Sequence, residues 1–152
     1  MRIIGVVGQG ECGGKLARLA REVGWLIAQS GAVLVCGGLG GVMEAAARGA
    51  KEAGGLTLGI LPGDTRTQAN PHIDLAIPTG MGEGRNFLVV RAAEALIAIG
   101  GGHGTLSEIA LALKTGKRVI GLATPWRGVP GVVEANTAEE AVALALAARE
   151  AS

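Results

Sequence analysis

Three glycine-rich junctions constrain the fold of this chain more than any other feature of its 152 residues. Each junction follows a short apolar run and precedes a stretch with helical periodicity, and the three lie at residues 8–14, 37–41 and 100–105. In a parallel α/β sheet, a strand that ends in glycines and enters a helix presents backbone N–H groups and the positive end of a helix dipole to an anion. The sequence therefore predicts a site for a phosphate-bearing ligand.

Apolar runs alternate with helical periodicity along the whole chain. The runs are continuous and rich in Val, Ile and Leu, which is typical of a parallel sheet covered on both faces. The predicted strands are 2–7, 32–36, 56–61, 75–78, 94–99 and 118–123, and the predicted helices are 14–29, 41–53, 83–93, 104–115 and 137–150. This alternation predicts an α/β fold: a three-layer, doubly wound Rossmann-like domain with a mainly parallel sheet. We expect one domain over residues 1–152.

The common strand order of such domains, 3-2-1-4-5-6, predicts where the ligand lies. In that order the polar segment 62–72 connects the third strand to the fourth, and the topological switch falls between strands one and four. The loops after strands one, four and five would then be neighbours at the C-terminal edge of the sheet. We therefore expect one site there, with segment 62–72 in position to close over the ligand.

Composition argues against several classes of partner. No apolar stretch reaches the roughly 18 residues, free of charges and of interruptions, that a membrane span needs. The net charge is +1 and aromatic residues make up 2% of the chain, whereas a nucleic-acid surface needs a basic stripe and stacking platforms. We therefore predict a cytoplasmic protein that binds neither membrane nor nucleic acid. Cys12 and Cys36 lack metal-ligand spacing, so we expect reduced thiols and no metal site.

The first junction fits the G-x-G-x-x-G pattern of dinucleotide-binding domains. That pattern also needs an acidic residue at the end of the second strand, where this chain has Cys36, Gly37 and Gly38. We therefore do not expect a redox dinucleotide. We interpret Gly8 and Gly10, together with Gly37 and Gly38, as phosphate-binding residues. For the first junction, the alternative is that its glycines form tight turns without contacting a ligand.

The third junction carries the clearest signal, because its glycines let the backbone approach a phosphate closely. The residues that we expect to bind the phosphate there are Gly101, Gly102, His103, Gly104 and Thr105. Glu108 lies one helical turn beyond Thr105, on the same face. An alternative is that Thr105 and Glu108 form only a capping box, T-x-x-E. His103 is either an exposed loop residue or a contact to the ligand.

A further glycine turn, which contains Gly82, precedes Arg85 at the start of the third predicted helix. Arginine suits bidentate contacts to phosphate, so we expect Arg85 beside the crevice. The alternative is a solvated surface arginine. Trp126 follows the sixth strand, and the sequence leaves open whether its ring stacks on a ligand or anchors a loop or a subunit contact.

These motifs resemble the LONELY GUY (LOG) family, an SLOG-type, Rossmann-like family formerly named lysine decarboxylases. The family signature runs from an arginine at a helix start, through an alanine-rich helix and strand, to P-G-G-x-G-T-x-x-E. Here the signature corresponds to Arg85, the stretch 92–99 and the stretch 100–108, without a gap. Residues 37–43 are similar to the family's G-G-G-x-x-G-L-M stretch.

Two positions depart from the LOG pattern: Gly100 replaces a proline, and Asn86 replaces a basic residue. With these residues, the chain looks more like the molybdenum-cofactor-carrier-like branch of the superfamily, to which its length and the stretch 70–82 are also similar. The resemblance implies a homodimer or a larger homo-oligomer. The alanine-rich helices, which allow close packing, agree with that expectation.

The resemblance leaves two functions open. The first is binding of a nucleotide-like phosphate ligand, either a nucleoside monophosphate or a molybdopterin-type cofactor, with no cofactor required for a reaction. The alternative is a LOG-type phosphoribohydrolase, which releases the base from a nucleoside 5′-monophosphate. In that enzyme Glu108 and Arg85 would be the catalytic residues: Glu108 would stabilise the ribosyl cation or orient water, and Arg85 would position the phosphate. We do not expect lysine decarboxylation.

Overall fold

The computed structural model of the protein describes residues 1–148. Within them, seven strands form one sheet in the order β4-β3-β2-β1-β5-β6-β7, and every neighbouring pair is parallel. The strands are β1 (Ile3–Gly8), β2 (Val33–Cys36), β3 (Thr57–Leu61), β4 (Leu75–Pro78), β5 (Ala95–Ile99), β6 (Arg118–Leu122) and β7 (Val132–Ala135). The helices are α1 (Gly14–Gln29), α2 (Val42–Glu52), α3 (Arg85–Ala92), α4 (His103–Lys114) and α5 (Ala138–Leu146). The predicted α/β Rossmann-like fold is confirmed.

Two layers of helices cover the sheet. On one face α1, α2 and α5 pack against alternate strand residues such as Ile4 and Val6, and on the other face α3 and α4 pack against residues such as Val7. Both faces are buried, which explains why the central strands are continuously apolar. A fully buried aliphatic side chain contributes roughly 1.5–3 kcal/mol, so this double burial is the main source of stability.

The predicted strand order is wrong at β4. This strand pairs with β3 at the edge of the sheet, with Leu58 opposite Leu75 and Ile60 opposite Ile77, and the chain then crosses through α3 to β5 beside β1. The topological switch therefore lies between β1 and β5. β4 is short and its side chains are half-exposed, and it ends in a proline, as edge strands tolerate.

β7 was not predicted from the sequence. This strand pairs with β6 alone, at the other edge of the sheet, and two of its four residues are exposed. Its apolar run is only Val132-Val133, followed by Glu134, so no periodicity distinguishes it from a loop.

Most helix boundaries agree with the sequence predictions within two residues, apart from the end of α5. α3 begins at Arg85 rather than at residue 83, because residues 82–84 form a 3₁₀ turn. α5 begins after Thr137, whose hydroxyl accepts a hydrogen bond from the Glu140 N–H at 3.1 Å. The predicted last helix extended to residue 150, and its residues 149 and 150 lie outside the described part. In residues 1–148 no helix has both the length and the apolar character to cross a bilayer.

Candidate functional site

A cleft of about 220 Å³ lies at the C-terminal edge of the sheet, where β1, β2 and β5 end. These three strands are neighbours, so the three glycine junctions that follow them meet at one place. The residues that line the cleft are Val6, Val7, Gly8, Gly10, Gly37, Met43, Arg85, Asn86, Gly102, Gly104, Thr105 and Glu108. The structure thus brings together residues of all three junctions, with Arg85 and Glu108 beside them.

The Arg85 guanidinium is fixed by backbone and side-chain acceptors. Its Nε donates to the Ile60 carbonyl at 2.9 Å, Nη2 donates to the Gly37 carbonyl at 3.4 Å, and Nη1 donates to Oδ1 of Asn86. Arg85 is only 9% exposed, so the solvated-surface alternative is wrong. A guanidinium carries five N–H donors, and three partners leave two N–H groups for an anion in the cleft.

Glu108 is buried on the α4 side of the cleft and is 8% exposed. Burial raises the pKa of its carboxyl to about 7, and the nearby charge of Arg85 opposes that rise. Within residues 1–148 the Glu108 carboxyl makes no hydrogen bond and no ion pair within 4.0 Å, and no fully buried side-chain oxygen or nitrogen lacks a partner. Its carboxyl oxygens are therefore open to the cleft.

The first turn of α4 presents backbone donors to the same space. Gly102 is the N-cap, with φ −99° and ψ −150°, so the N–H groups of the next three residues, 103–105, have no partner inside the helix. Thr105 is therefore the third residue of α4, and the alternative in which it caps the helix is wrong. Free N–H groups at a helix N-terminus favour an anion.

Three glycines of the cleft are not explained by the packing of the protein. A Cβ atom at Gly10, Gly102 or Gly104 would have no neighbouring atom within 4 Å, and none of the three has a positive φ. By contrast, a Cβ at Gly8 would lie 2.1 Å from the Ile99 carbonyl oxygen, and one at Gly37 would lie 2.6 Å from Nη2 of Arg85. The first three positions therefore leave space for a ligand to contact the backbone.

Four predicted site residues lie outside the lining of the cleft. Gly38 and Gly101 have φ of +77° and +101°, and a Cβ there would collide with Leu61 and Thr105 respectively. Gly82 has φ +57° and begins the turn before α3, so these three glycines shape the loops. His103 is exposed and lines a neighbouring groove. A ligand role for these four residues stays a prediction.

Trp126 anchors the third junction. Its indole Nε1 donates to the carbonyls of Gly101 and Gly102 at 3.1 and 3.2 Å. Its ring centroid lies 5.9 Å from that of His103. This geometry supports the anchoring alternative, because the indole N–H is already used within the protein.

Asn86 is a site residue that was not predicted from the sequence. This side chain is 9% exposed and lines the cleft, and its Oδ1 accepts from Arg85 while its Nδ2 has no partner in the described part of the chain. Its position directly after Arg85, where the LOG pattern has a basic residue, was the available signal.

Segment 62–72 is attached to the second junction, since Nδ2 of Asn70 donates to the Leu39 carbonyl at 2.8 Å. None of its residues lines the cleft in this structure. Closure of the segment over a ligand therefore stays a prediction. Across residues 1–148, no three His, Cys, Asp or Glu side chains are placed to hold a metal ion.

Comparison with known proteins gives relatives over nearly the whole chain. A model of the SLOG cluster4 family matches residues 1–151. An uncharacterized protein of Archaeoglobus fulgidus is 52% identical over 139 residues, which cover 91% of each chain.

Two solved structures have the same fold and a related sequence. The molybdenum cofactor binding protein of the phototrophic bacterium Rippkaea orientalis is 42% identical, with a TM-score of 0.88 and 94% of both chains covered. The molybdenum cofactor carrier protein of Chlamydomonas reinhardtii is 36% identical, with a TM-score of 0.85 and the same coverage.

Proposed function

Because this chain belongs to the SLOG cluster4 family, we propose that it binds a molybdopterin-type cofactor and that the cleft holds the phosphate end of that cofactor. Its similarity to a molybdenum cofactor binding protein and a molybdenum cofactor carrier protein over 94% of the chain supports the class of ligand. The chemistry of the cleft supports the phosphate contact.

One observation carries this proposal: the cleft combines free anion-binding donors with glycines that the protein itself does not need. The donors are the N–H groups of the first turn of α4 and the two remaining N–H groups of Arg85. Gly10, Gly102 and Gly104 leave the backbone uncovered beside them. A phosphate there would accept hydrogen bonds without displacing a side chain.

Glu108 adjusts the charge of the cleft. Its carboxyl has a pKa of about 7, so it is mostly neutral in slightly acidic solution, where it can donate a hydrogen bond to a phosphate oxygen. A bound phosphate disfavours the carboxylate and raises this pKa further. The cleft therefore accepts a phosphate most readily when Glu108 is protonated.

Isothermal titration with anaerobically prepared molybdopterin cofactor tests the proposal. We expect Arg85→Met to weaken binding by roughly 10- to 100-fold, because a charge-assisted hydrogen bond contributes about 1.5–3 kcal/mol. Arg91→Met is the matched control, since Arg91 is exposed at the other end of α3. Unchanged affinity in Arg85→Met, or absence of binding by the wild-type protein, would contradict the proposal.

Gly104→Ala gives a second test that does not disturb the fold. The added methyl group meets no protein atom within 4 Å, and alanine favours the helix by up to about 1 kcal/mol. We expect this variant to be at least as stable as the wild type and to bind the cofactor about tenfold more weakly. Full affinity in a stable variant would show that no ligand contacts this backbone.

The phosphoribohydrolase remains the second candidate function, because a carboxyl with a pKa of about 7 beside an arginine suits general acid–base catalysis. Incubation with AMP and an N6-substituted AMP, followed by detection of free base, tests it. We expect Glu108→Gln to abolish any release while Glu140→Gln, an exposed control on α5, leaves it unchanged. No release of base by the wild-type protein would exclude this activity for these substrates.

Three further expectations remain predictions: a homodimer or larger homo-oligomer, location in the cytoplasm, and no binding of nucleic acid. Light scattering coupled to size exclusion measures the first of these.

A further inference from the structure

A second groove, of about 290 Å³, opens beside the cleft between α3 and α4. We call it the side groove. Glu83 and Phe87 lie on its α3 side, and His103 and Leu111 lie on its α4 side. Asn86 and Gly104 line both the side groove and the cleft. One molecule can therefore occupy both spaces.

The size of the cleft requires a neighbouring space for the rest of the ligand. Its volume of about 220 Å³ is below the range of roughly 300–1,000 Å³ that is typical of small-molecule sites. The groove between α1 and α2, lined by Arg18 and Arg48 among others, shares no lining residue with the cleft. The side groove is the space that continues from the phosphate position.

The walls of the side groove suit a flat ring. Phe87, the only phenylalanine of the chain, is 42% exposed and lies in the first turn of α3. On the opposite wall, the His103 ring lies 5.9 Å from Trp126, which is itself bound to the third junction. Exposed aromatic side chains held on rigid elements are stacking surfaces for heterocycles.

Glu83 adds hydrogen-bond selectivity at the same groove. Its carboxylate makes no ion pair within 4.0 Å in residues 1–148 and no hydrogen bond to another side chain there. A carboxylate offers two acceptor oxygens side by side. Pterin and guanine carry a ring N–H next to an exocyclic amino group, which presents two parallel donors, whereas adenine lacks this pair.

We propose that the side groove holds the ring of the ligand and that Glu83 selects heterocycles with adjacent ring N–H and amino donors, such as pterin and guanine, over adenine. This inference rests on the proposed function, because it places the phosphate of the same molecule in the cleft. It adds a specificity residue and an aromatic wall, Glu83 and Phe87, to the site.

Isothermal titration with four probes tests the inference: 6-hydroxymethylpterin monophosphate, GMP, AMP and inorganic phosphate. We expect the wild-type protein to bind the pterin and guanine probes at least about tenfold more tightly than AMP, because a carboxylate forms charge-assisted hydrogen bonds with both donors. Glu83→Gln removes this preference and does not weaken binding of inorganic phosphate. Phe87→Ala weakens the binding of all three ring-bearing probes by roughly tenfold and leaves the affinity for inorganic phosphate unchanged.

Matched controls lie on the other face of the sheet. Glu140→Gln removes an exposed carboxylate on α5, and Trp25→Ala removes an aromatic ring on α1 that is 40% exposed. We expect neither to change the affinity of any probe.

The outcomes separate this inference from the function on which it rests. Suppose that the probes bind and that Arg85→Met weakens their binding. If AMP then binds as tightly as the pterin probe, or if Glu83→Gln still prefers pterin and guanine over adenine, the assignment of the ring to the side groove is wrong and the phosphate site stands. If no probe binds, or binding is independent of Arg85, both proposals are wrong.

Discussion

The raised pKa of Glu108 predicts that this one carboxyl destabilises the folded protein at neutral and alkaline pH. Its pKa rises from the ordinary value of 4.5 to about 7 because burial disfavours the carboxylate. Between these two pH values the folded state binds the proton more tightly than the unfolded state does. The free energy of unfolding therefore falls as the pH rises through this window, and the loss is complete above about pH 7.

The magnitude follows from the two pKa values. A difference of one pKa unit between the folded and unfolded states corresponds to about 1.36 kcal/mol. The ionised Glu108 therefore lowers the free energy of unfolding by about 3 kcal/mol. Glutamine resembles the protonated carboxyl and does not ionise. We therefore compare the free energy of unfolding of Glu108→Gln with that of the wild type. The variant minus wild-type difference should be about 3 kcal/mol larger above about pH 8 than below about pH 4.5.

Urea unfolding followed by circular dichroism measures this difference at each pH. With a slope of about 1–3 kcal/mol per molar urea, the separation of the two midpoints should change by roughly 1–3 M across the window. Glu140→Gln is the control, because this carboxylate is exposed on α5. If the difference in urea midpoint between Glu108→Gln and the wild type stays constant from acid to alkaline pH, burial does not raise the pKa of Glu108.

Three other predictions concern the cleft. Gly37→Ala places a methyl group 2.6 Å from Nη2 of Arg85, so the guanidinium must move. We expect about tenfold weaker phosphate binding in a folded protein. Unchanged titration curves would contradict the role of Arg85. Trp126→Phe removes the N–H group that donates to two carbonyls of the third junction. Thermal unfolding should show a free energy of unfolding lower by about 1 kcal/mol. An unchanged Tm would show that this anchor is dispensable. Phosphate binding near pH 7.5 should take up a proton at Glu108; titration in buffers of different ionisation enthalpy measures it, and the same uptake in Glu108→Gln would assign the proton to another group.

The regular elements were predictable because burial on both faces leaves a continuous apolar signature. β1 and β5 are six- and five-residue runs with no polar side chain, and α1 has a clear apolar face. β7 lies at an edge of the sheet, where half of its side chains face solvent, so the continuous apolar run that marks a buried strand is absent and this strand was missed. β4 was predicted at residues 75–78, but its position in the sheet was wrong, because the residues of a short strand do not specify which strand it pairs with.

The family was predictable from motifs. The expected SLOG-type, Rossmann-like membership is confirmed by the match over residues 1–151, while the narrower LOG assignment stays a prediction. The Arg-Asn pair at residues 85 and 86 and the glycine run after β5 pointed toward the molybdenum-cofactor-carrier-like branch.

The detailed roles within the site could not be read from residue types. Gly37 and Gly104 look equivalent in the sequence. Gly37, however, leaves room for the Arg85 side chain, whereas Gly104 faces open space. The burial of Arg85 depends on the Ile60 and Gly37 carbonyls, which come from two other strand ends. Such contacts between distant segments leave no local pattern.

A structure of the protein with 6-hydroxymethylpterin monophosphate bound would show where the phosphate lies. We predict that it lies in the cleft, within hydrogen-bond distance of the Arg85 guanidinium and of the backbone N–H groups of residues 103–105. A phosphate seated instead in the groove between α1 and α2, beside Arg18 and Arg48, would contradict it.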